Sequence, residues 1–293
     1  MDILKSIILG IIEGITEWLP VSSTGHMILT DELIHLSQPS AFMDMFLVVI
    51  QLGAILAVII LFWNKLWPFH LKSKTVEPYF KLEKNKFQRF CNNYIFVDRF
   101  ILWFKILLAS VPAAILGLLF DDQIDAMLTG DSRAYVVAAA LIAYGIIFII
   151  IESLKIKVKT EDLGILSYKN ALLIGIVQCL ALVPGTSRSG STILGAILLG
   201  LSRTAAAEFS FFLSVPAMVG GSGIKVLQYF AEGNTFSGAQ IVILLVGMAT
   251  AFIVSVLAIK FLLSFIRKHD FKAFGYYRII LGIIVILFFA LQN

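Results

Sequence analysis

Apolar residues fall in two kinds of stretch along this chain. Six runs, near 42–62, 101–119, 135–152, 206–228, 239–263 and 276–292, are predominantly apolar throughout. Each is long enough to cross a bilayer, whose hydrocarbon core takes about 20 helical residues. Two further regions, about 3–36 and 171–203, are broken half-way by Pro20-Val21-Ser22-Ser23-Thr24-Gly25-His26 and by Pro184-Gly185-Thr186-Ser187-Arg188-Ser189-Gly190. Pro, Gly and hydroxyl residues in mid-run predict two short helices joined by a turn, not one span. A break at membrane depth is tolerated only where protein or a polar cavity surrounds it. Each loop follows a helix-like run, Gly10-Ile11-Ile12-Glu13 or Gly175-Ile176-Val177-Gln178, so the two passages read as copies of one unit.

Charged residues make up 14% of the chain and mean hydropathy is +0.93, whereas ordinary soluble domains carry about 25% charged residues. That excludes a soluble globule and leaves a polytopic membrane protein. The basic residues cluster. Residues 63–100 carry Lys65, Lys72, Lys74, Lys81, Lys84, Lys86, Arg89 and Arg99; 153–170 adds Lys155, Lys157, Lys159 and Lys169; 264–278 adds Arg267, Lys268, Lys272 and Arg278. Segments 27–43 and 229–238 have no Lys or Arg, and 120–134 has four Asp against Arg133 alone. The positive-inside bias puts the first three segments in the cytoplasm and the last three outside. Nucleic acid is not an expected partner, because a solvated, topology-setting loop accounts better for the 63–100 run. Cys91 and Cys179 are isolated, without metal-ligand or redox spacing. Glu13 and Glu17 interrupt what would be the core of an N-terminal signal peptide.

With the charge map as a constraint, a full crossing at 171–203 would leave the loop after 206–228 on the cytoplasmic side, where it lacks any basic residue. A hairpin that enters and leaves on one side restores the count. The expected fold is therefore an all-α polytopic membrane protein, a single domain over 1–293. It is an inverted-topology repeat, with repeat 1 at about 1–152 and repeat 2 at about 171–293, and each half is one re-entrant helical hairpin plus three transmembrane helices. Such a fold brings both hairpin tips to one site in the middle of the protein.

Candidate chemistry concentrates at those tips. Glu13 and Glu17, four apart, stack on one helix face. Paired carboxylates in apolar surroundings repel, and a divalent cation is their simplest partner; hard oxygen ligands suit Mg²⁺ or Ca²⁺ rather than zinc. Ser22, Ser23, Thr24, Gly25 and His26 stand at the expected start of the next helix, where free N–H groups and the dipole favour phosphate. Ser23 or Thr24 is a candidate nucleophile and His26 a proton carrier. In the second loop Thr186, Ser187, Arg188, Ser189, Ser191 and Thr192 again crowd a helix start. Arg188 needs an anion, and its planar guanidinium matches phosphate oxygens; a buried ion pair with Glu13, Glu17 or Glu208 is the competing reading. Asp44, Gln51, Arg203 and Glu208 are weaker candidates, and His35, His70 and His269 read as loop or interface residues. Trp18, Trp63, Trp67 and Trp103 fit interfacial belts or packing.

The Glu13-Gly-Ile-Thr-Glu17-Trp-Leu-Pro-Val-Ser-Ser-Thr-Gly-His26 and Leu182-Val-Pro-Gly-Thr-Ser-Arg-Ser-Gly190 stretches resemble the signature motifs of bacterial undecaprenyl-diphosphate phosphatases, the bacitracin-resistance protein family. The resemblance runs in order along essentially the whole chain, through Phe46–Ala54 and Phe209–Pro216. It implies hydrolysis of the C55 lipid diphosphate to the monophosphate, which recycles the carrier for cell-wall synthesis. It also implies a divalent metal and a site reached from the outer face of the cell membrane. The family's acidic motif falls on Glu13 and Glu17, its serine-histidine motif on Ser22 to His26 and its arginine motif on Thr186 to Ser189. The expected mechanism is metal-assisted phosphoryl transfer. Glu13 and Glu17 hold the cation, Arg188 and loop N–H groups stabilise charge on the phosphoryl oxygens, and Ser23 attacks with His26 as acid or base. Thr24 or a metal-positioned water are rival nucleophiles. Expected partners are the polyprenyl diphosphate and the bilayer, with room for a homodimer. A transporter or flippase of the lipid phosphate is the alternative, because broken helices meeting at midplane are also a transporter architecture.

Overall fold

The computed structural model describes residues 1–293 except 35, 73–76, 83, 121–122, 125, 128–132 and 293. His35 and the acidic cluster Asp121, Asp122, Asp125 and Asp131 lie outside the described residues. Among those described, the regular structure is helical, with only two isolated bridges, Phe69 to Ile95 and Thr160 to Leu201. In chain order the helices are α1 (Asp2–Thr16), α2 (Ser23–Leu33), α3 (Ser40–Leu61), α4 (Trp63–Leu66), α5 (Lys86–Tyr94), α6 (Val97–Leu119), α7 (Arg133–Ser153), α8 (Tyr168–Gln178), α9 (Arg188–Leu198), α10 (Arg203–Ala231), α11 (Gly238–Ile266) and α12 (Lys272–Gln292).

The helices α3, α6, α7, α10, α11 and α12 are long and apolar enough to cross a membrane, and they match the six runs read from the sequence. At 1.5 Å per residue, α1 reaches about 22 Å and α2, α8 and α9 about 16 Å each, all short of a core about 30 Å thick. The two interrupted regions are thus helix–turn–helix units, α1–α2 and α8–α9, as their prolines and glycines predict.

These units dock on distant helices. α1 lies along α11 and α8 along α6. Both contacts are made at glycine, because close approach of backbones replaces the hydrophobic drive that lipid does not supply. A Cβ on Gly10 would stand 2.6 Å from the Gly247 carbonyl, and one on Gly175 would stand 2.1 Å from that of Ala109. Ser6, fully buried, adds a hydrogen bond from its Oγ to the carbonyl of Ile243, 237 positions on (2.7 Å). α7 and α12 pack along each other, and α3 packs on both α10 and α11.

α10 forms the centre. Its Phe209, Phe211 and Phe212 are wholly buried, and Trp18, from the turn after α1, meets Phe211 edge-to-face at 5.3 Å. That packing fixes the first polar turn against the middle of the bundle. Glu152 of α7 receives Arg203 through both its oxygens, at 3.0 and 2.6 Å, and also accepts from the Phe271 N–H at 3.1 Å. Lys65 pairs with Glu208 at 2.6 Å. Arg203 and Glu208 therefore serve as ties between elements, away from the polar turns.

Candidate active site

The two turns have one conformation. Ser22 and Ser187 are N-caps of α2 and α9, and both have φ 73°. A positive φ is uncommon for a residue with a Cβ. In each turn the cap Oγ accepts from the N–H three residues on, Gly25 at 3.4 Å and Gly190 at 3.1 Å. Ser23 and Arg188 thereby become the first residues of their helices, beside first-turn N–H groups that no helical carbonyl can reach.

Between the turns lies a cavity of about 230 Å³. Glu17, Ser23 and Thr24 line it from one side, Ser187 and Arg188 from the other, and Gln51 of α3 and Met218 and Gly221 of α10 complete the wall. Arg188 Nη2 donates to Glu17 Oε1 at 2.7 Å, and Ser23 Oγ donates to Glu17 Oε2 at 3.3 Å. Arg188 Nη1 is held by the Ser210 carbonyl at 2.6 Å, which aims the guanidinium, and its Nε has no partner. Thr192 steadies this arrangement by bonding both the Arg188 carbonyl and Ser210 Oγ. Glu13, one helical turn before Glu17, is 1% exposed, and its Oε1 has no hydrogen-bond partner. An intramembrane cluster of two carboxylates, a guanidinium and a hydroxyl is costly and marks function.

Residues 6–284 match the family described as bacitracin resistance protein BacA. This chain belongs to that family. It is 53% identical to an undecaprenyl-diphosphatase of Enterococcus faecalis, over 99% of its own length and 98% of the relative's. It is 51% identical to an undecaprenyl-diphosphatase of Acetivibrio thermocellus, over 99% and 98%. Identity to undecaprenyl-diphosphatase 1 of Clostridioides difficile is 50%, over 99% and 97%.

Within this BacA-family chain the remaining candidates divide by position. Thr24 and Ser187 face the cavity. Thr186 turns away: its Oγ1 donates to the Leu180 and Val183 carbonyls at 2.9 and 2.8 Å, and so shapes the loop. Ser189 is buried and shares a hydrogen bond with Ser187 Oγ at 3.1 Å. Gly25 leaves just enough room for Leu141, whose Cδ1 would stand 3.0 Å from an added Cβ. Ser191 bonds Tyr144 OH at 3.0 Å. His26 is not on the cavity wall. Its Nδ1 lies 2.8 Å from the Ser22 carbonyl, so that nitrogen carries the proton, and its Nε2 lies 2.7 Å from Tyr277 OH on α12.

Sequence reasoning grouped Arg278 with a basic cytoplasmic segment, and the structure corrects this. Arg278 sits six residues inside α12 and is 0% exposed. Its Nη1 donates to the Pro20 carbonyl at 3.2 Å, and its Nη2 to those of Gly185 and Thr186 at 2.8 and 2.9 Å. One guanidinium thus bonds both polar turns, with Tyr144 below it at 5.3 Å. The available signal was an arginine within an otherwise apolar span.

Proposed function

We infer that this protein is an integral membrane phosphatase that hydrolyses undecaprenyl diphosphate to undecaprenyl phosphate and inorganic phosphate. The activity would return the lipid carrier to cell-wall synthesis and confer bacitracin resistance. The observation that carries the reading is the meeting of Arg188 with Glu17 and Ser23 at a polar cavity, in a chain half identical to proteins named for this reaction.

The residues fit the chemistry. Arg188 would bind the oxygens of the transferring phosphoryl group through its planar donor set. Ser23 Oγ is the attacking hydroxyl we prefer, since its proton already points at Glu17 Oε2. Thr24, Ser187 and the first-turn N–H groups of α2 and α9 would hold further phosphate oxygens. Ser22, Gly25, Thr186 and Ser189 would keep the turns in shape, and His26 would fix the first turn through the Ser22 carbonyl. A divalent cation, Mg²⁺ or Ca²⁺, fits Glu13 and Glu17, because a buried carboxylate oxygen without a partner is what a hard cation satisfies. Among the described residues no three acidic, His or Cys side chains gather as a metal cluster. Two carboxylates plus substrate oxygens and water is, however, a usual Mg²⁺ set. When bound, the ion would supply Lewis-acid stabilisation of diphosphate oxygens.

We also place the chain in the cell membrane as one domain built of two inverted halves, 1–152 and 171–293. The matching turns at Ser22 and Ser187, and the exchange of α1 and α8 between halves, support that arrangement. The basic segments favour a site open to the outer side.

Phosphate release by the purified protein in detergent tests the function, since transport needs two compartments and hydrolysis does not. Steady release from the C55 diphosphate, lost in Arg188→Gln, is the expected result. Substrate left intact by folded protein with divalent ions present would overturn it.

A further inference from the structure

The segment between α3 and α6 takes no part in the site, yet it is the most basic of the chain, with eight Lys and Arg against three acidic residues over 63–100. Its ends are pinned together where the two spans meet the surface. The Phe96 N–H donates to the Pro68 carbonyl and the His70 N–H to that of Tyr94, at 2.8 and 2.9 Å. Arg99 bonds the Trp67 carbonyl, and Trp103 Nε1 that of Leu66. The segment therefore starts and finishes at the same membrane edge, directly beside α3 and α6.

From that edge it presents aromatic side chains outward. Trp63 and Trp67 stack with ring centroids 4.5 Å apart, and both are exposed. In α5, Phe87, Phe90 and Tyr94 fall at i, i+3 and i+7 on one face and are 70%, 52% and 40% exposed. The helix cannot roll to hide them. Asn92 accepts from the Phe80 N–H at 3.0 Å and donates to the Phe80 carbonyl at 2.9 Å, which locks its other side to the loop. In the same segment Lys72, Lys81, Lys84 and Lys86 are exposed, the last two at the start of α5.

We propose that residues 63–72, 77–82 and 84–96 form an interfacial platform that lies on the membrane and binds anionic phospholipid, with the α5 aromatics at the acyl boundary and the lysines on lipid phosphates. Three features favour lipid over a nucleic acid or protein partner. The segment's two ends are hydrogen-bonded to each other and to α6 where the spans end, aromatic rings of this kind prefer the headgroup zone, and basic amphipathic helices bind anionic leaflets. None of these residues belongs to the phosphatase machinery, so the platform stands or falls apart from the reaction.

The test uses full-length protein in nanodiscs of phosphatidylcholine carrying a spin-labelled phosphatidylglycerol or phosphatidylcholine probe. The immobilised fraction of each probe is read by electron spin resonance. Wild type should hold the glycerol lipid several-fold more strongly than the choline lipid, and added salt should weaken that preference. Lys81→Gln/Lys84→Gln/Lys86→Gln should lose most of it with phosphate release unchanged. Phe87→Ser/Phe90→Ser should lower immobilisation of both probes. Equal selectivity in wild type and the triple lysine variant would overturn the proposal. So would selective capture of RNA by wild type with no lipid preference.

Discussion

Arg188 and Glu17 are 171 positions apart in sequence, and their side chains meet at 2.7 Å. That contact is both an ion pair and the seam between two polar turns. The two roles separate under substitution. Lysine keeps the charge and loses the paired planar donors. Arg188→Lys should fold, with unchanged expression and thermal stability, and turn over about 10²–10³ more slowly, the usual loss for one transition-state donor. Near-wild-type turnover would reduce Arg188 to a counter-ion for Glu17.

Glu13 gives the opposite kind of prediction. A buried carboxylate oxygen with no partner is a standing cost, so Glu13→Gln should leave Tm equal or raise it while cutting turnover strongly. The variant should also need more divalent ion to reach its own maximum. Chelation of wild type should abolish activity, and full turnover in excess chelator would remove the metal.

Ser22 and Ser187 should respond to glycine and alanine in the same order. Glycine accepts φ 73° freely and loses only the cap bond. Alanine loses the cap and keeps the strained backbone, at about 1–3 kcal/mol for the conformation and ~1 kcal/mol for the cap. Thermal unfolding should rank both wild type and Ser187→Gly above Ser187→Ala, with the same order at 22, because wild-type serine carries the same backbone strain as alanine but keeps its cap. Alanine as stable as glycine at either site would mean the turn relaxes.

Arg278→Met should be among the most damaging changes outside the cavity. It leaves the Pro20, Gly185 and Thr186 carbonyls without their donor, each worth about 1–3 kcal/mol when buried and unpaired. A folded fraction, if recovered, should show raised KM as well as lower kcat, because both turns lose their common support. Wild-type KM in a stable Arg278→Met would contradict this.

Much of this architecture was legible in the chain. The six spans were, because each is a long apolar run, and the two short units were, because Pro20 and Pro184 break their regions. The juxtaposition of Glu17 with Arg188 followed from likening the two turns. Three things were not legible. The left-handed backbone at Ser22 and Ser187 belongs to residues that any propensity would put in an ordinary cap. The turning of Thr186 into its own loop, and of His26 toward Tyr277, depends on where neighbouring helices lie, which local spacing does not encode. Arg278 was misplaced because a charge count sees a basic residue near others of its kind and not the carbonyls it meets 93 and 258 positions away.

The docking of α1 on α11, and of α8 on α6, also sets an order of events during synthesis. A chain emerging N-terminus first makes α1 before any other helix, yet Gly10 and Ser6 have to wait for Gly247 and Ile243 on the fifth of the six spans. Until then Glu13 and Glu17 lack the walls that enclose them. Helix α8 has no such delay, because Ala109, on which Gly175 rests, has already been made when Gly175 arrives. A ribosome stalled before residue 238 would therefore display α8 seated on α6 and α1 still without its partner, with both turns waiting for Arg278. The site closes only when α11 and then Arg278 of α12 have been made, and a nascent chain gains its phosphate chemistry only when nearly complete.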